Sequence, residues 1–202
     1  MSEIGDAQSY FARLSQMVSR LPFETIDRVS DLLVDAYENS RMIYVFGNGG
    51  SAALASHFAC DLGKGTINSS KKRFRVLALT DNIPLITAWA NDSRYEDIFV
   101  EQLANFVRED DVAFAISGSG NSQNVLNALK LARHARAATI GLAGYNGGRM
   151  KELCDVCMMV PCDNMQIIED LHLSIAHAIF TAVRRKLSAE HLSKTAAQGM
   201  YL

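Results

Sequence analysis

Two periodicities alternate along the chain. From residue 4 to residue 19 the apolar side chains Phe11, Leu14, Met17 and Val18 recur at helical spacing and share a face. A second helical stretch opens at Pro22, whose fixed φ suits a first turn, and carries the stripe Ile26, Val29, Leu32, Leu33 and Ala36. Then short, continuously apolar runs begin to alternate with longer amphipathic ones. The runs at 42–46, 75–79, 111–116, 138–142 and 156–160 predict strands buried on both faces. The segments 51–64, 84–91, 95–106, 122–136, 148–153 and 166–187 predict helices. Strands alternating with helices make βαβ units. The expected fold is therefore α/β: a three-layer sandwich with a five-stranded parallel sheet flanked by helices. One domain over residues 1–190 accounts for the pattern, with a polar tail at 191–202 expected to be ordered only against a partner.

In such a sheet ligands sit outside the carboxyl ends of the strands. Two similar loops fall there. Gly47-Asn48-Gly49-Gly50-Ser51 follows the first strand, and Ser117-Gly118-Ser119-Gly120-Asn121-Ser122 follows the third. Each is rich in glycine and hydroxyls, and each opens a helix, whose N-terminus adds free N–H groups and partial positive charge. One such loop can be no more than a tight turn. Two at matching positions point to a monophosphate held from two sides, with Ser51, Ser117, Ser119 and Ser122 donating. Lys64 either adds a charge there or is a solvated helix end.

Gly47-x-Gly49-x-x-Ala52 also satisfies a loose dinucleotide fingerprint. The acidic residue that fingerprint needs after the second strand comes too late, at Asp81, and a basic, serine-rich stretch at 69–73 intervenes. No Gly-Lys-Ser/Thr is present, which excludes a Walker loop.

Composition narrows the classes further. The 202 residues are 49% hydrophobic and 21% charged, enough for a full core. A net charge of −2 gives no nucleic-acid footprint, and the clusters Lys71-Lys72-Arg73 and Arg184-Arg185-Lys186 read as solvated surface. No apolar stretch approaches a membrane span, and the polar start, Met1 to Asp6, is no secretory signal. Four cysteines, Cys60, Cys154, Cys157 and Cys162, fit a reduced, cytoplasmic protein. Cys154 and Cys157 form a C-x-x-C. A structural zinc site normally needs a second pair, and Cys157 lies in an apolar strand, so a buried structural role outweighs metal or redox chemistry.

Candidate chemistry lies on two helices. His57 and Asp61 are four residues apart and share a face of the helix that begins at the first loop. Glu169, His172 and His177 lie on the last long helix. A lone histidine there is more often a satisfied core residue. Two carboxylates beside these histidines shift the balance towards function.

At this point the chain resembles the sugar isomerase (SIS) domains, which bind phosphosugars, and within them the phosphoheptose isomerases. The residues that carry the resemblance are the two loops, His57-Phe58-Ala59, Ala90-Asn91-Asp92, Gly147-Gly148 and the stretch from Ile168 to His177. The resemblance implies conversion of sedoheptulose 7-phosphate to D-glycero-D-manno-heptose 7-phosphate, a precursor for surface polysaccharide, through an enediol. It implies a zinc ion bound by residues matching His57, Asp61, Glu169 and His177. Asp61 would then be the base and His177 its acid partner, with substrate contacts from Asn48, Gly49, Gly50, Ser51, Asn91, Asp92, Ser117, Gly118, Ser119, Ser122 and Glu169. It implies a homotetramer with sites at subunit contacts and the N-terminal helices packed between subunits. Glu169 and His177 are ~12 Å apart along a helix, so a bend, or ligands from different subunits, would be needed to bring them to one metal. The chain departs from the family at Asp61, usually Glu, at Glu169, usually Gln, and at Gly65, usually Arg. The same group includes a non-enzymatic regulator that binds the replication initiator, so a phosphosugar-binding protein without chemistry is the alternative reading.

Overall fold

The computed structural model describes residues 5–67 and 72–199, with side chains described as far as residue 189. Ile4 at the start of the expected first helix, residues 69–71 of the basic stretch and the last three residues of the tail lie outside the described residues. Five strands form the sheet: β1 (Met42–Gly47), β2 (Arg75–Ala78), β3 (Val112–Ser117), β4 (Ala138–Ala143) and β5 (Val156–Met159). All neighbours run parallel, in the order β2-β1-β3-β4-β5. The helices are α1 (Ala7–Val18), α2 (Phe23–Glu38), α3 (Gly50–Cys60), α4 (Ile83–Asp92), α5 (Val100–Ala104), α6 (Gln123–His134), α7 (Met150–Leu153) and α8 (Met165–Gly199).

Strand periodicity divides the core in two. Ile43, Val45, Phe114, Ile116, Ile140, Leu142 and Met158 point to one face, where α1, α2, α3 and α8 cover them. Tyr44, Phe46, Ala113, Ala115 and Ala143 point to the other, under α5, α6 and α7. The central strands are buried on both faces, which is why they read as unbroken apolar runs rather than alternating ones.

The departures from expectation are local. In α1 only Met17 is buried, while Phe11 and Val18 are exposed, so the expected shared face is only half used in the single chain. The helix after the first loop ends at Cys60 and continues as one π turn, Asp61–Gly65. Segment 95–106 splits into a 3-10 turn, Tyr95–Asp97, and the short α5. The last helix runs on to Gly199. The backbone of the expected tail is helical as far as residue 199, which its Ala, Lys, Gln and Leu residues favour.

α8 packs close to the strand ends. A side chain at Gly118 would meet the Met165 sulfur at 2.5 Å, and one at Gly144 would collide with Ile168. The glycines at these two positions let the first turns of α8 settle on the carboxyl end of the sheet. There α8 runs beside α3: Glu169 lies at Gly50, His177 at His57 and Phe180 at Gly65.

Candidate functional site

β1 and β3 are neighbours, but the chain leaves them towards opposite edges of the sheet, to β2 on one side and β4 on the other. The loops after β1 and β3 therefore flank the topological switch point, where open α/β sheets bind ligands. The two loops are tied together. The Asn48 and Asn124 carboxamides exchange hydrogen bonds of 2.9 and 2.8 Å, and the Tyr95 hydroxyl donates to Asn48 Oδ1 at 3.0 Å. Asn48, expected to bind substrate, thus spends its side chain joining the loops.

The first loop enters α3 through Gly49, whose φ of +54° suits glycine. No side chain caps α3. Instead the Glu169 carboxylate faces its first turn: a Cβ on Gly50 would lie 3.0 Å from both carboxylate oxygens. The positive end of α3 favours that charge. The second loop is an hydroxyl-lined turn. Ser117 Oγ and Ser122 Oγ lie 3.3 Å apart, the Gly120 N–H donates to Ser117 Oγ at 3.2 Å, and the Asn121 N–H donates to Ser119 Oγ at 3.2 Å. The Met150 N–H donates to the Gly120 carbonyl at 2.9 Å, which pins this turn to the Gly147-Gly148 loop.

Between α3 and α8 lies a cleft of about 400 Å³, lined by Gly50, Ser51, Leu54, His57, Glu169 and His172 among others. No residue of the second loop lines it. Met165 and Ile168 of α8 pack onto Gly118 of the second loop. A larger depression, about 590 Å³, opens where the strands begin, around the Arg41–Asp110 ion pair. It lies at the wrong end of the sheet for an α/β ligand site.

At the far end of the cleft three side chains converge. His57 Nε2 and His177 Nε2 are 2.9 Å apart, and Asp61 Oδ2 lies 3.5 Å from the first and 3.8 Å from the second. Among the described residues this is the one group of three potential metal ligands, its donor atoms all within 4.8 Å of one another. Tetrahedral zinc with bonds of ~2.0–2.1 Å places its ligand atoms ~3.3 Å apart, so the spacing fits one ion with small adjustment. The π turn begins at Asp61, and such insertions gather at functional sites.

Glu169 does not join this cluster; it stands two turns up α8, against Gly50. The resemblance made it a fourth ligand, and within one chain the helix rise keeps it away. Asn91 and Asp92 bond each other at 2.7 Å at the exposed end of α4, and neither lines the cleft. Lys64 is exposed. Cys154 and Cys157 flank Gly141 with no third potential ligand beside them among the described residues. The hydrogen bond between the two thiols, and then burial, holds Cys154 protonated, whereas the same bond favours a Cys157 thiolate.

The residue the sequence reading undervalued is His172. It is buried at 1% exposure, and neither ring nitrogen has a hydrogen-bond partner of good geometry. Burial pushes its pKa down to about 4, outweighing the nearby Ala143 backbone, which favours the charged form. A signal for it existed: Ile168, Leu171, His172 and Ile175 follow the i, i+3, i+4, i+7 core spacing, and a histidine on that stripe must be buried. Asp170, next along, accepts from the Tyr10 hydroxyl at 2.6 Å and fastens α1 to the rim of the cleft. Removal from water, with Asp170 adding to it, raises the Tyr10 pKa to about 12.

Known proteins are similar to this chain in sequence and fold. Residues 8–144 match the SIS domain family. A phosphoheptose isomerase from Aliarcobacter butzleri is 38% identical over 165 residues, which are 82% of this chain and 87% of that protein. One from Geotalea daltonii is 35% identical across 94% of this chain and 96% of its own length. The solved structure of a phosphoheptose isomerase from Francisella tularensis superposes with a TM-score of 0.83 at 29% identity, covering 92% of this chain and all of that one. The chain belongs to the SIS domain family, in its phosphoheptose isomerase group.

Proposed function

We propose that this chain is an aldose–ketose isomerase that converts sedoheptulose 7-phosphate to D-glycero-D-manno-heptose 7-phosphate through an enediol. The observation that carries the reading is the convergence of His57, Asp61 and His177 at the end of a cleft that starts beside the phosphate-type loops. A module that only binds a phosphosugar has no need of that triad.

In this reading the second loop holds the phosphate. Its hydroxyls and N–H groups are neutral donors, whereas the first loop already faces the Glu169 carboxylate, which would repel a dianion. The sugar extends towards α3 and α8. The Asp61 carboxylate takes the proton from the carbon beside the carbonyl while His177 Nε2 gives one to the carbonyl oxygen, forming the enediol. Asp61 then returns its proton to the former carbonyl carbon as the neighbouring hydroxyl gives its own to His177 and becomes the new carbonyl. His57, 2.9 Å from His177, exchanges a proton with it and holds its ring edge-on. A zinc ion held by His57, Asp61 and His177 would occupy these same donor atoms and so replace the proton relay, supplying instead polarisation of the carbonyl and stabilisation of enediolate charge.

Exposed apolar surface supports the homotetramer. α4 has no buried residue although it is built of apolar side chains, and Ile83 on it and Phe11 on α1 are 60% and 64% exposed. In such an assembly Asn91 and Asp92 would reach a neighbour's cleft. Among the described residues no helix is long and apolar enough to cross a membrane, and the same reading places the enzyme in the cytoplasm.

The test is to incubate the protein with sedoheptulose 7-phosphate, with and without zinc, and follow aldose formation. No conversion under either condition, with phosphosugar binding intact, sinks the proposal. His177→Ala is expected to lower turnover at least ~10²–10⁴-fold, the worth of a general acid–base, while phosphate affinity holds. Equal loss of both would make His177 structural.

A further inference from the structure

We propose that His172 is a specificity-determining residue that hydrogen-bonds a hydroxyl of the sugar phosphate in the α3–α8 cleft. The inference rests on the isomerase reading above and adds a residue to its substrate site.

A buried polar group in a folded protein has a partner, and neither His172 nitrogen makes a hydrogen bond of good geometry, the Ala143 backbone being the nearest approach. Its neighbours on α8, Ile168, Leu171 and Ile175, are apolar and buried. Its nitrogens stand outside the His57–Asp61–His177 group, so the missing partner is not that group's metal. Yet His172 lines the cleft. With both nitrogens covered, the ring offers the cleft no free polar atom. A half-turn about the Cβ–Cγ bond exchanges Nδ1 with Cδ2 and Nε2 with Cε1 within the same volume. By that rotation a nitrogen would come to face the bound sugar.

The chemistry of the partner follows from the ring. With a pKa near 4 the imidazole is neutral at physiological pH. It offers one donor and one acceptor, no charge, and no proton for catalysis. A phosphate would prefer a charged group, and a metal would need further ligands, whereas His172 stands outside the one group of three among the described residues. A sugar hydroxyl, itself donor and acceptor, matches it. The position fits as well, between Glu169 and His177 along α8 and across from Ser51 on α3. A site that hydrogen-bonds a hydroxyl discriminates strongly against an analogue lacking it.

Two variants and one spectrum test this. His172→Phe fills the volume without polar atoms, and His172→Gln restores a donor and an acceptor. His172→Phe is expected to raise KM for sedoheptulose 7-phosphate about 10-fold, the worth of one hydrogen bond. Its affinity for inorganic phosphate should stay within about twofold, and His172→Gln should recover part of the KM loss. In wild-type protein labelled with ¹⁵N-histidine, the His172 ring signals should move on adding sedoheptulose 7-phosphate and stay put on adding inorganic phosphate. Unchanged KM in a folded His172→Phe, or ring signals that ignore the bound sugar phosphate, overturns the proposal. Should the Phe variant not fold, the wild-type spectrum decides alone. Absence of turnover in wild type would count against the isomerase reading, whereas the ring signals test His172 whether or not the sugar is converted.

Discussion

After β1 the chain enters α3 through an open loop: a side chain at Gly49 would meet nothing within 4 Å, and a carboxylate from α8 faces the helix N-terminus. After β3 it passes through a closed turn, where a side chain at Gly120 would run into the Gly147 carbonyl and hydroxyls rather than a carboxylate line the path. The two segments use nearly the same residue types at equivalent ends of adjacent strands. What separates them is the surface laid against each. α8 brings Glu169 to the first loop and Met165 to the second, and the β4–α7 loop closes on the second alone. A glycine- and serine-rich loop therefore marks a ligand region without fixing the ligand's charge.

The largest effect that would break this contrast is steric. Gly49 and Gly120 both have positive φ, at +54° and +65°. Gly49→Ala adds only backbone strain, about 1 kcal/mol. Gly120→Ala adds a backbone collision, and a loss above about 3 kcal/mol is expected. Urea denaturation of the two variants measures this; equal losses would mean the second turn is as open as the first.

The next effect belongs to the first region only, through the histidine buried beside its cleft. His172 has a folded pKa near 4 against an ordinary 6.5. A depressed pKa means the unfolded chain binds the proton first. Stability is therefore full above pH 6.5 and falls as pH drops from there to about 4. The shift corresponds to roughly 3 kcal/mol. Glu169, Asp170, His57 and His177 share the cleft, so the comparison must be with His172→Phe. That variant should have a flatter pH–stability curve between pH 4 and 6.5, and parallel curves would refute the assignment.

The sheet was legible because its strands are buried on both faces, which writes an unbroken apolar run into the sequence. The pairing of His57 with Asp61 was legible because four residues make a helical turn. What sequence could not carry is contact between distant elements. Nothing local to Gly50 shows that Glu169 will lie against it, 119 positions later in a chain whose α8 runs beside α3. The exposure of Phe11 is similar: periodicity reports which side of a helix is apolar, not whether the same chain covers it. The π turn at Asp61–Gly65 leaves no periodic mark at all.

A smaller effect sharpens the contrast by asking where phosphate binds. Ser119→Ala removes a hydroxyl donor from the second turn, and inorganic phosphate should bind about tenfold more weakly, the loss of one charge-assisted hydrogen bond. Ser51→Ala removes a hydroxyl from the first turn of α3, and phosphate affinity should change less than about twofold. Calorimetric titration of both variants reads this directly. The reverse order would move the phosphate to the first loop.

The smallest expected effect is the most discriminating one. Glu169→Gln keeps the side chain's shape against Gly50 and removes its charge. Were phosphate seated on the N-terminus of α3, it would share that turn with a carboxylate, and two negative charges within ~4 Å repel by ~1–4 kcal/mol in surroundings between bulk water and the protein surface. Neutralising Glu169 would then tighten phosphate binding by about tenfold or more. With phosphate on the second turn, the α8 side chains set against that loop are Met165 and Ile168 rather than Glu169. Separation and salt then screen the interaction, and the gain should be below about twofold at physiological ionic strength. Repeating the titration at low salt separates the cases further, because a screened, distant repulsion grows as salt is removed while a direct one is already large. A near-null result at 0.15 M salt that rises modestly at low salt is the outcome this geometry requires, and it would leave Glu169 to the sugar end of the cleft rather than to the phosphate.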